Sequence, residues 1–169
     1  MFRVLTDPDF AALLLAPGAE RADLATRWAR LERSLHASTN ALRVRSGARM
    51  PWPASLGTPP WGLRAALDEL GVGRRFTVLR VDGRSPSQVE AALDRVAAAL
   101  AQGVPVPLYV GNATLPRHVV LATEAGPGWV QVYDPASGQP RRLRRDAVVR
   151  ASAGVSGWDQ LWAAVVPRV

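Results

Sequence analysis

The tightest constraint on this chain lies between Arg117 and Gly138, where two β-rich runs, His118 to Thr123 and Trp129 to Tyr133, flank the breaker Gly126, Pro127, Gly128. Such runs on either side of a short Gly/Pro cluster fold back as an antiparallel hairpin. A turn centred on Gly126 sets Thr123 opposite Trp129, Leu121 opposite Gln131 and His118 opposite Asp134. Side chains alternate along a strand, so His118, Val120 and Ala122 share a face with Val130, Val132 and Asp134. Opposed residues have Cβ atoms about 4.5–5.5 Å apart, within reach of an Nδ1–H to carboxylate hydrogen bond. A carboxylate so placed fixes the imidazole tautomer and leaves the other ring nitrogen free as a base. His118 and Asp134 are therefore the candidate catalytic residues, two members of a nucleophilic triad. The same residues admit a structural reading: a His at a strand start can bond a backbone carbonyl, and Asp-Pro-x-x-Gly is a sound turn with Asp134 first.

The third member is the difficulty, because the 169 residues contain no cysteine. That excludes disulfides, thiolate metal sites and a thiol nucleophile within them. Two His and scattered carboxylates offer no metal-ligand spacing, and no cofactor is expected. At this length the expectation is one domain, 1–169, with a real core; 48% of residues are apolar and six are Trp. No apolar run approaches the roughly 20 residues that span a bilayer, and the N-terminus lacks the order of a signal peptide, so the expected location is cytoplasmic, with no membrane partner. The formal charge of +7 invites a nucleic-acid reading, but all 21 basic residues are Arg, as in proteins from GC-rich bacterial genomes. The densest basic run, Arg141 to Arg145, is not interleaved with aromatics and reads as a solvated face, which leaves nucleic acid a distant alternative.

Along the chain, Pro8 suits the first turn of a helix capped by Thr6 or Asp7 and ending at Pro17. Ahead of it Phe2, Val4 and Leu5 lack any capping residue, as though a preceding element had been cut through; a frayed terminus is the alternative. Leu24, Trp28, Leu31, Leu35 and Leu42 mark an amphipathic helix from Ala19 to about Leu42. Within it His36, Ser38 and Thr39 have no carboxylate placed to orient the imidazole, so His36 is read as structural. Arg43 to Pro60 reads as a loop shaped by prolines, followed by a helix from Pro59 to Leu70 with Thr58 as its cap. A strand over Phe76 to Val81, a helix from Pro86 to Gln102, a strand over Val104 to Val110 and the hairpin come next. A strand over Pro140 to Leu143, a short helix over Arg144 to Arg150, a turn at Gly157 to Gln160 and a strand over Leu161 to Val166 complete the series. The fold class is α+β: N-terminal helices (1–55), then a sheet-bearing part (56–169), mostly antiparallel with one inserted helix.

Five segments in order carry a resemblance. They are Leu63 to Gly71, the helix ending at Gly103, the buried Pro-Val strand Val104 to Val110, Arg117-His118 opening the next strand, and Asp134 to Gly138 closing its partner. Together they resemble the C39-like branch of the papain-like cysteine peptidases over about Leu56 to Val166. The resemblance implies a papain-like fold, His118 as general base and Asp134 as its orienter, with a Cys on an N-terminal helix as nucleophile and a preceding Gln completing the oxyanion hole. Only the pair has counterparts here. Either the nucleophilic segment, on a first helix absent from 1–55, precedes these residues, or the chain is a non-catalytic relative that holds a peptide or protein segment in its cleft. Ser38, Thr39, Ser55 and Thr58 are weighed as replacement nucleophiles and none is placed to face His118. Composition sets no oligomeric state.

Overall fold

A computed structural model describes residues 41–43, 49–51, 58–69 and 74–168. The chain divides into two compact units, Met1–Gly73 and Arg74–Val169. The expected helices before Asn40, with His36, Ser38 and Thr39, lie outside the described residues, as does Ser55.

In the first unit, β1 (Ala41–Arg43) pairs antiparallel with β2 (Arg49–Pro51). This corrects the expected helix end at Leu42 and part of the proline-shaped loop. Helix α1 spans Pro60–Glu69. Leu63 N–H donates to Pro59 C=O at 3.0 Å, so the helix starts one residue later than expected and Thr58 stands two residues ahead of it. Two successive prolines supply the helical φ at no loss of N–H donors that the first turn could have used.

The second unit is a six-stranded antiparallel sheet in the order β3, β8, β4, β5, β6, β7. Its strands are β3 (Phe76–Arg80), β4 (Val106–Gly111), β5 (Pro116–Gly126), β6 (Trp129–Asp134), β7 (Gln139–Arg144) and β8 (Gln160–Pro167). Helix α2 (Pro86–Ala101) crosses from β3 to β4, and the short α3 (Arg145–Val149) follows β7. Asp82 C=O accepts from Ser85 N–H at 2.9 Å, and Pro86 occupies the first turn of α2. Val89, Leu93 and Val96, spaced four and three apart, bury one stripe. The helix ends at Gly103 (φ 72), where Val104 N–H bonds Ala99 C=O and Gly103 N–H bonds Leu100 C=O, the paired closure a left-handed glycine permits.

All six residues of β4 are buried, as its unbroken apolar sequence implies for a strand covered on both faces, whereas β6 alternates. Cross-strand pairing puts Val106, Leu108 and Val110 of β4 on the same face as Ala122, Val120 and His118 of β5, with Val132 of β6 opposite Ala122. The basic run on β7 and α3 is engaged within the protein. Arg142 lies 4.2 Å above the Trp129 ring, and Arg145 reaches Asp94 Oδ1 at 2.7 Å and Glu90 C=O at 3.0 Å on α2.

Candidate functional site

The hairpin forms, but in another register. Its loop is Pro127 and Gly128 (φ 78), with Gly126 paired to Trp129. A Cβ at Gly126 would lie 2.5 Å from the Trp129 ring, so a larger residue there would displace that side chain. A bulge falls between Ala122 and Glu124, leaving Thr123 unpaired, and beyond it Leu121 faces Tyr133. One step further along the ladder puts Val120 opposite Asp134, not His118. The difference from the expected register is even at this point, so His118 and Asp134 keep their common face and become diagonal neighbours.

Diagonal neighbours stand further apart than opposed ones, and the ring reaches across with its distal nitrogen. His118 Nε2 lies 2.7 Å from Asp134 Oδ1. This corrects the expected Nδ1 bond and leaves Nδ1 as the open nitrogen. Asp134 is fully buried, whereas the His118 side chain keeps 17% exposure. Ala136 N–H also donates to Asp134 Oδ1 at 3.0 Å, and Ser156 Oγ donates to Oδ2 at 2.5 Å. Burial alone raises the Asp134 carboxyl; the bonds from Ser156, His118 and the Ala136 N–H together outweigh it, and the group sits below the usual carboxylate range. An ionised carboxylate can only accept, so Nε2 donates to it, and in the neutral tautomer with Nε2 protonated the lone pair lies at Nδ1.

Local sequence explains the placement. The Asp-Pro-x-x-Gly run does form the turn, with Gly138 N–H on Asp134 C=O at 2.8 Å and Gly138 at φ 67. Asp134 thus serves as turn residue through its backbone and as acceptor through its side chain. The strand leading to His118 is entered from a loop in which Asn112 Oδ1 accepts from Thr114 N–H and Leu115 N–H, both at 2.9 Å.

Ser156 is the residue that sequence reasoning missed. It lies 22 residues from Asp134 in a tight turn, where Val155 N–H bonds Trp158 C=O at 2.9 Å and Trp158 N–H bonds Val155 C=O at 2.8 Å. The Ser156-Gly157 dipeptide was a turn signal, two residues earlier than the turn expected at Gly157 to Gln160, but nothing in it points to a distant carboxylate. Among the described residues no three His, Asp or Glu side chains gather to hold a metal ion, and no helix is long and apolar enough to cross a membrane.

No protein-family model matches the chain, and no curated protein matches it. Among solved structures, the crystal structure of the Pseudomonas avirulence protein AvrPphB is similar at a TM-score of 0.44 and 13% identity, over 97% of this chain and 90% of that one. A likeness at that score assigns no chemistry to this chain.

Proposed function

We propose that this chain carries the base half of a papain-like, C39-like thiol peptidase or amidase site. His118 would act as general base and acid through Nδ1, and Asp134 would fix the ring from the other side. The observation that carries the reading is the 2.7 Å bond from His118 Nε2 to a buried Asp134, whose carboxyl its hydrogen bonds hold below the usual range. In the reaction Nδ1 takes the proton of a thiol as its sulfur attacks a peptide or amide carbonyl. The ring then returns that proton to the leaving amine, and water hydrolyses the thioester with the same base. The thiol is not among the 169 residues, which contain no cysteine.

That absence favours a second reading, a non-catalytic module that binds a peptide or protein segment beside His118. The two separate on the protein isolated from its own source. Under the first, a peptidyl electrophile that alkylates active thiols labels the protein, and H118A or D134N slows labelling by roughly 10³-fold or more. An intact mass without added cysteine, no labelling, and peptide affinity unchanged by H118A would reject the first and leave the second.

A further inference from the structure

Asp134 has two carboxylate oxygens, and His118 uses one. The other, Oδ2, accepts from Ser156 Oγ. Ser156 and Gly157 both have left-handed backbone, φ 48 and φ 82, the pattern of a two-residue turn whose central positions favour Gly, Asn and Asp. Serine has no advantage in that conformation, and a β-carbon there is disfavoured. For turn geometry alone Gly is the better residue at 156. The hydroxyl, in contrast, meets a carboxylate that is wholly buried and, among the described residues, has His118 and the Ala136 N–H as its other hydrogen-bond donors.

We infer that Ser156 is the positioning residue of the His118–Asp134 pair: its hydroxyl holds Oδ2 so that Oδ1 stays aligned on His118 Nε2–H and Nδ1 stays open. A carboxylate bonded at one oxygen can turn about its terminal torsion, which is broad; bonded at both, it cannot turn without breaking a charge-assisted bond. Ser156 does not reach the imidazole through any hydrogen bond, so it acts through Asp134 and not on a substrate. The inference rests on the reading of His118 as a base, and it can be tested without turnover.

The test is NMR on the full chain, following exchange of the His118 Nε2 proton with water and titration of the Asp134 carboxyl carbon. S156G keeps the turn and removes the hydroxyl. We expect a slowly exchanging Nε2 proton in the wild type, about tenfold faster exchange in S156G, the equivalent of one hydrogen bond, and an Asp134 midpoint moved up toward the ordinary carboxylate value. The thermal midpoint of S156G should fall less than that of S156A, because Gly suits φ 48 and offsets part of the lost bond to Asp134. S156A should show the same faster exchange and the larger loss of stability, since it loses the bond to Asp134 and keeps the left-handed β-carbon that Ser already has. If S156G matches the wild type in both readouts, or the wild-type Nε2 proton exchanges freely, Ser156 is a turn residue only. Exchange that depends on Ser156 in a protein that neither labels nor turns over would leave the positioning role standing and remove the catalytic reading.

Discussion

A buried carboxylate with three donors makes stability depend on pH in one direction. Asp134 is held below the usual range, so its contribution is complete above about pH 4 and is lost as pH falls through its lowered folded-state value. Urea midpoints between pH 3 and 6 should therefore decline more steeply for the wild type than for D134N. At pH 7 D134N should be the less stable by roughly 2–3 kcal/mol, because Nε2–H and the Ser156 hydroxyl lose an ionised acceptor. Gly111, at the end of β4, is a steric requirement of another kind: a Cβ would lie 2.1 Å from Leu115 C=O and 2.7 Å from Pro116 Cα. Both neighbours are backbone, so G111A should cost about 3 kcal/mol in urea unfolding and disturb the loop that leads to His118. G138A, with open space around its Cβ but φ 67, should cost only about 1 kcal/mol.

At the scale of elements, the strands and helices from Phe76 onward were legible to within three residues, because each carries a local signal. Pro86 and Gly103 bracket α2, the unbroken apolar run marks β4, and glycines or prolines separate the rest except β7 and α3, which abut at Arg144 and Arg145. V96A, which removes two methyls from the buried stripe of α2, should destabilise by about 2 kcal/mol in the same assay. Pairing was less legible. The Thr123 bulge and the Pro127-Gly128 loop shift the hairpin register, and neither is marked by a residue that only a bulge would accept. His118 and Asp134 still share a face because the shift is even beyond the bulge, but they meet through Nε2 and not the expected Nδ1. Ser156 was out of reach for another reason: its bond to Asp134 spans 22 residues and follows from where two turns meet, which no local pattern encodes.

Across the whole molecule, β8 lies between β3 and β4, so the last strand of the sheet in sequence is one of its central ones. Phe76, Val165 and Val166 are all essentially without exposure, and among the described residues β3 has no ladder partner but β8. A chain stopped after Asp159 should lose protection from hydrogen exchange in β3 and unfold without a cooperative transition; retained protection in β3 would contradict this topology. The same arrangement acts in time. Strands β4 to β7 can pair as they emerge from a ribosome, whereas β3 waits for about 80 residues of synthesis before Gln160 appears. At the usual rate of roughly 5–20 residues per second that is about 4–16 s with an apolar strand uncovered. During that interval chaperones, or β3 of a second nascent copy, can compete with β8 for it.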